Sequence, residues 1–325
     1  MAFRATAALL FILSITSGCS RSAARQATSL NHRGSGPPPQ ILAVYEAWFG
    51  HPKHISVGYS SHDPAVLRKQ IRDAKAMGIS GFVVDWYGYR QPFIDRSYAL
   101  LQSIAAEEQF HVALMYDETD DEDGATDEAI EDFKLFNKTY LSPNAPGRQA
   151  YLMYNGRPVI FIFPKGNHTD WDRLRAEVNK WPKSPLLVNE YPPGKSASAI
   201  DGYYAWVRPA QGGDGSNWGK QYLTDFYDTM QAKYPDKIAV GGAWLSFDDS
   251  KASWGLNRHI LPRCGQTFSD TFALWHQHSA NYYMPFVLVE TWNDYEEGTA
   301  IEKGIQGCGP DKPLVIPHQI ETTKK

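Results

Sequence analysis

HDPAVLRKQIRDAKAMGISGFVVDWY, residues 62–87, runs from a helix start through its stop into a strand. Asp63 is placed to cap the helix, Pro64 suits its first position, and Gly78 stands just past its end. The segment that follows, Gly81 to Tyr87, is an almost unbroken apolar run closed by Asp85. Such a run predicts a strand buried on both faces, as in a parallel sheet covered by helices, and not the polar–apolar alternation of a half-solvated sheet.

The same unit recurs in both directions along the chain. Further strand candidates are 41–48 (ILAVYEAW), 111–117, 157–163, 185–191, 200–206, 237–244 and 284–292. Helical stretches are expected near 95–109, from the acidic segment to about 140, from about 169, and near 219–233 and 267–281. Asn155-Gly156 has the chemistry of a two-residue hairpin turn leading into the strand at 157–163. Eight strand–helix units in roughly 285 residues match a single-domain (β/α)8 TIM barrel spanning 40–325. A doubly wound open sheet would use the same elements, but no glycine-rich phosphate loop follows the first strand.

Residues 1–19 have the form of a lipoprotein-type signal peptide: Arg4, an apolar core over 5–15, then TSGC ending at Cys19. Thr16 stands where the lipobox leucine is usual. The apolar stretch is too short for a permanent membrane span. Residues 20–39, rich in Ser, Arg, Gly and Pro, read as a disordered tether. The expectation is an exported cell-envelope protein, monomeric, touching the membrane only through a lipid on Cys19. Beyond the four arginines of 1–39, the chain carries 28 basic and 36 acidic side chains. That acidic body argues against nucleic acid as a partner. In an exported chain, Cys264 and Cys308 are candidates for a disulfide.

Catalytic groups of a barrel sit at the C-terminal ends of its strands. Those ends hold Tyr45, Glu46 and Trp48; Asp85, Trp86 and Tyr87; Asp117 and Glu118; Glu190; Trp206; and Trp244. The last strand runs into ETWNDYEEGT, with Glu290, Trp292, Asn293, Asp294, Glu296, Glu297 and Gly298. Carboxylates that accept hydroxyl hydrogen bonds, interleaved with flat aromatic faces, predict a cleft for a polysaccharide or oligosaccharide. Crowded carboxylates raise one another's pKa toward the range a general acid needs. Glycoside hydrolysis uses two carboxylates across one bond. Asp294 and Glu297, three apart in one loop, are candidates, with Glu290 as a third; spacing alone does not choose between them.

GYSSHDPAVLRKQIRDAKAMGISGFVVDWYG (58–88) together with ETWNDYEEGTAIE (290–302) resembles glycoside hydrolase families 71 and 99 and their bacterial relatives. The resemblance runs from about Tyr45 to Glu302. It implies a (β/α)8 barrel acting on α-linked mannan or glucan. By the family 99 motif, Glu297 maps to the general acid and base. Asp294 maps to a glutamate thought to assist attack by the sugar's own 2-hydroxyl, with retention of configuration. Here an aspartate replaces that glutamate, which withdraws the carboxylate by about 1.5 Å, and a misplacement of about 1 Å can cost roughly a hundredfold in rate. A catalytically inactive glycan-binding barrel is therefore the alternative to a hydrolase.

No cofactor or metal is expected. The ten acids of 117–132 fail the calcium-loop template, since Thr119 and Ile130 fall at its first and twelfth positions. His276 and His278, two apart on a predicted helix, do not face together. His51, His54 and His62 lie in the first loop beside the expected cleft, and no serine-nucleophile elbow is present.

Overall fold

The computed structural model describes residues 36–119, 121–194, 196–211, 217–306 and 313–314. The export segment with Cys19, the tether up to residue 35, and Cys308 lie outside the described residues. Eight parallel strands form the barrel: β1 (Gln40–Glu46), β2 (Gly81–Trp86), β3 (His111–Asp117), β4 (Arg157–Phe163), β5 (Leu186–Glu190), β6 (Gly202–Tyr204), β7 (Ile238–Trp244) and β8 (Phe286–Glu290). They pair in the order β3-β2-β1-β8-β7-β6-β5-β4, and β3 pairs with β4 to close the ring.

Six α-helices are described outside the ring: α1 (Pro64–Ala76), α2 (Pro92–Glu107), α3 (Ala125–Phe136), α4 (Trp171–Val178), α5 (Lys220–Lys233) and α6 (Gln266–Ser279). Between β5 and β6 the described residues form turns in place of a helix. In α1 the expected punctuation is realised. Asp63 accepts from the Ala65 N–H at 2.8 Å, and Gly78 takes the left-handed conformation with φ 87° after the C-cap Met77. Its buried face, Leu67, Gln70, Ile71 and Ala74, packs on the barrel; each such apolar side chain stabilises by roughly 1.5–3 kcal/mol relative to exposure. At 153–158 the hairpin is present, with Met153 opposite Pro158 and Tyr154 opposite Arg157. Asn155 and Gly156 both have positive φ (50° and 74°), as a type I′ turn requires. Gly241 allows α6 to approach closely, since a Cβ there would stand 2.2 Å from the Trp275 ring.

Side-chain alternation divides each strand. Leu42 and Val44, Val83, Ala113 and Met115, Val159 and Phe161, Val188, Tyr204, Val240 and Leu288 fill one cluster. Ala43 and Tyr45, Phe82 and Val84, Leu114 and Tyr116, Ile160 and Ile162 join the layer that packs against the helices. The first set faces the interior, the second the helices. Both layers are buried, which is why the runs read as unbroken apolar sequence. Continued by two-residue steps, the interior face arrives at Glu46, Asp85, Asp117, Phe163, Glu190 and Glu290. Above it, short strands at Ala210–Gln211, Phe247–Asp248 and Arg258–Ile260 form a small antiparallel sheet from the loops after β6 and β7. Cys264, in the turn before α6, is disulfide-bonded; its expected partner lies outside the described residues. No helix among the described residues is long and apolar enough to cross a membrane.

Candidate active site

Strand register brings the acids together. Glu46 of β1 is level with Asp85 of β2, and Asp117 ends the next strand, β3. On the other flank of β1, the loop after β8 adds Asp294, Glu296 and Glu297. These six carboxylates line a cavity of about 480 Å³ at the C-terminal mouth of the barrel. Trp48, Tyr87, Phe163, Trp206 and Trp254 supply its aromatic faces, Met115 contributes from β3, and His54 and Lys165 its nitrogen groups. The Trp48 ring stacks on His54 with centroids 4.6 Å apart and planes 6° from parallel.

The loop after β8 is held by its own sequence. Asn293 clamps the end of β1: its Oδ1 accepts from the Glu46 N–H (2.8 Å) and its Nδ2 donates to the Glu46 carbonyl (2.9 Å). Thr291 Oγ1 accepts the Asp294 N–H at 2.7 Å, and Asp294 Oδ1 accepts the N–H groups of Glu296 (2.8 Å) and Glu297 (2.9 Å). Gly298, at φ 65°, turns the chain, and the Glu297 carbonyl takes the Asp248 N–H at 2.7 Å. Thr291, Asn293 and Asp294 thus each have a backbone partner, and Glu297 is carried to the cavity on the turn they hold.

Electrostatics follow first from burial and then from the neighbouring acids. Burial, then the charge of Asp294, pushes Glu297 up to about 8, against an opposing pull from Arg258. Burial pushes Asp294 up to about 7, although the Glu297 and Glu296 N–H groups pull it down. Asp85 rises to about 6, again by burial, held back by hydrogen bonding from Tyr87 and the charge of Lys165. Glu46 is raised by burial and by Asp85, Asp294, Glu297 and Asp117, so it feels four other acids. Its Oε2 is buried without a partner. Asp117 is raised by burial and Asp85, with Lys165 opposing from 2.8 Å. Lys165 also lies 4.7 Å from the Tyr87 ring centre. Titratable groups displaced this far by burial and by one another are characteristic of functional sites.

Of the sequence candidates, Glu46, Trp48, Asp85, Tyr87, Asp117, Trp206, Asp294 and Glu297 lie on this cavity. The others are placed elsewhere, each for a stated reason. Tyr45 and Trp86 face the helices: Tyr45 donates to Gln70 Oε1 at 2.7 Å, and Trp86 Nε1 to Asp95 Oδ1 at 3.2 Å. Trp292 packs on Phe82 in the same outer layer. Trp244 turns to donate to the Trp218 carbonyl at 2.9 Å. Glu118 accepts the N–H groups of Gly166 (3.2 Å), Asn167 (2.6 Å) and Thr169 (2.6 Å) and so anchors the loop after β4. Glu190 pairs with Arg208 at 2.8 Å. Glu290 is buried with one oxygen on the Val207 N–H and the other without a partner, and burial raises it well above the usual range. Asn293 acts on the Glu46 backbone.

Sequence reasoning passed over Lys165, Phe163, Met115 and Trp254. The two-residue period would have found Met115 and Phe163, which continue the inward faces of β3 and β4. Lys165 follows β4 by two residues, at a strand end that carries neither a carboxylate nor a Trp or Tyr to mark it. Among the described residues no group of three His, Cys, Asp or Glu side chains is arranged to hold a metal ion.

No family-level profile matches the chain. A mouse (Mus musculus) protein described as glycoprotein endo-alpha-1,2-mannosidase-like is 24% identical over 295 residues, covering 82% of this chain. The chain spans only 62% of that relative's length. Among solved structures, a GH99 endo-alpha-mannosidase from Bacteroides thetaiotaomicron superposes with TM-score 0.64 at 17% identity, over 81% of this chain and 87% of that one. Its complex with bis-tris-propane gives TM-score 0.63 at 18% identity, over 81% and 86%. A glycoside hydrolase-like protein gives 0.59 at 15%, over 83% and 90%. At these identities the structural likeness establishes the (β/α)8 barrel. The chain resembles family 99 in its motifs, and it is similar to family 99 enzymes in fold.

Proposed function

We propose that this protein is a retaining glycoside hydrolase that cleaves an α-linked, mannan-like glycan at the barrel mouth. The observation that carries the reading is the cavity of six carboxylates and five aromatic faces, in which Glu297 rises to about 8. A carboxyl held protonated at neutral pH is what a general acid requires. Glu297 delivers its proton to the glycosidic oxygen as the bond to the anomeric carbon breaks. Asp294, with Oδ1 tied to two backbone N–H groups, takes the proton of the sugar's 2-hydroxyl, whose oxygen attacks that carbon. Water then opens the anhydro-sugar, with Glu297 as base and Asp294 returning the proton. Glu46, raised by burial and by the four acids around it, hydrogen-bonds a sugar hydroxyl. Trp48, Phe163 and Trp206 receive the apolar faces of the rings.

The test is reducing-end release from a panel of α-mannans and α-glucans by the wild type and by Glu297→Gln. The variant should lose about 10²–10⁴-fold in kcat, the range of general acid–base contributions. Equal rates in the two proteins would remove Glu297 from the mechanism. Glycan binding without cleavage by the wild type would replace the hydrolase with a binding barrel. That alternative draws on the Asp294 carboxylate, which is shorter than the family glutamate and engaged by the backbone. We further propose export, lipidation at Cys19, and action as a monomer in the cell envelope. Recovery of Cys19→Ser in the membrane fraction at wild-type level would overturn the anchor.

A further inference from the structure

A second cavity, of about 630 Å³, adjoins the first and shares His54, Trp254 and Glu296 with it. The partition between them is a bridge of two loops. His54 Nδ1 lies 3.2 Å from one Glu296 oxygen, and the Ile55 N–H donates to the other at 3.0 Å. Both oxygens of Glu296 are therefore engaged by the protein. Beyond the bridge the polarity reverses. Lys53 and Lys251 line the arm, both exposed, and neither is held by an ion pair among the described residues. Lys303 lies 4.9 Å from the ring centre of Tyr295, another wall residue. Of the nearby acids, Asp249 is paired with Arg258 at 2.7 Å, and Asp248, which accepts the Ser250 N–H at 3.0 Å, feels the charges of both His259 and Lys251. The arm also holds uncovered apolar surface. Ile55 (48% exposed) and Trp254 (51%) are two of the five exposed large hydrophobic residues among those described.

Two exposed lysines and an open indole beside a pocket of carboxylates are poorly explained by a neutral sugar alone. We propose, building on the hydrolase reading above, that this arm is a subsite for an anionic unit of the glycan, a uronate carboxylate or a phosphate ester. Its charge meets Lys53 and Lys251 while its ring packs on Trp254. In a body carrying an excess of acids, the lysines would also draw a negatively charged polymer toward a cleft that otherwise repels it.

The experiment is calorimetric titration of the Glu297→Gln protein, which leaves ligand intact, with three α-linked oligosaccharides of equal length: neutral, uronate-bearing and phosphate-bearing. At about 50 mM salt one anionic ligand should bind roughly tenfold tighter than the neutral one, a few-fold for each exposed charge contact, and the advantage should shrink at about 0.5 M salt. In the added double variant Lys53→Gln/Lys251→Gln the anionic-to-neutral ratio should fall to near one. Both lysines are exposed, so folding is not at stake. The two anionic ligands distinguish carboxylate from phosphate. A ratio near one before the lysines are changed, or a ratio the double variant leaves intact, overturns the subsite. These outcomes are separable from the hydrolase test: a preference retained by a protein that never cleaves glycan would sink the hydrolase alone, and failure to bind any glycan would sink both.

Discussion

Asp117 and Glu118 are neighbours in the chain, both acidic and both fully buried, yet they belong to different parts of the molecule. Asp117 ends the inward face of β3, where burial and Asp85 raise its pKa and Lys165 is its counter-charge. Glu118 points away from the barrel and receives three backbone N–H groups from the β4 loop. Burial alone therefore does not mark a functional carboxylate. What separates these two is their partners: three backbone N–H groups satisfy the charged form of Glu118, whereas Asp117 faces other acids across the cavity with Lys165 as its counter-charge.

Exchanging each for its amide tests the difference most strongly. Glu118→Gln turns an amide N–H toward a backbone donor and should cost about 3 kcal/mol in a denaturant titration. The molecules that remain folded should keep their kcat. Asp117→Asn should do the reverse. Loss of the ion pair is offset by relief of repulsion from Asp85, so stability should stay within about 1 kcal/mol. Hydrolysis should drop roughly tenfold or more as Lys165 loses its fixed partner. Matching effects of the two substitutions on stability and on rate would dissolve the distinction.

The pH dependence gives a second, smaller test. Glu297, Asp294 and Asp85 have folded-state pKa values of about 8, 7 and 6, all above the ordinary carboxyl range. The fold binds these protons more tightly than the unfolded chain does. Their contribution to stability is complete below about pH 4 and is lost as pH rises through the folded values toward 8. Tm should fall by about 5 °C between pH 6 and 9, and Glu297→Gln should flatten that slope. In the wild type, kcat should show an alkaline limb near pH 8, where Glu297 gives up its proton. A Tm independent of pH over that interval would show that these acids do not hold their protons in the fold as described.

Much of this was readable from the chain. The caps Asp63, Pro64 and Gly78, the Asn155-Gly156 turn and the eight apolar runs gave the barrel, and strand ends pointed to the mouth. Which face each strand-end residue takes was not readable from hydrophobicity, because a covered parallel strand is apolar on both sides. Tyr45 and Trp86 therefore read like Glu46 and Asp85 in the sequence, and alternation in the structure separates them. The second group of acids depends on the loop after β8. There Asn293 and Thr291 act through backbone contacts with Glu46 and Asp294 that no spacing rule predicts. Lys165 is not legible in the sequence, because it stands two residues past β4 in a loop whose path into the pocket of six carboxylates no local pattern specifies.

The smallest effect gives the finest discrimination between the two faces of β1. Tyr45 precedes Glu46, is fully buried, and donates to Gln70 Oε1 at 2.7 Å; Gln70 Nε2 in turn donates to Glu302 at 2.7 Å. Tyr45→Phe leaves the Gln70 oxygen without its donor and should cost about 1 kcal/mol of stability. Hydrolysis should stay within about twofold of wild type, since an outward ring reaches no substrate. The network does continue from Glu302 through the Tyr59 hydroxyl at 2.9 Å, which stands 3.4 Å from the Nδ2 of Asn293, the residue that clamps the end of β1. A rate loss beyond about tenfold at intact folding, with KM unchanged, would mean that the outer layer sets the position of Glu46 through that clamp, since displacements of about 1 Å are enough to slow a reaction a hundredfold. The division of β1 into a catalytic and a structural face would then give way to a single mechanical unit.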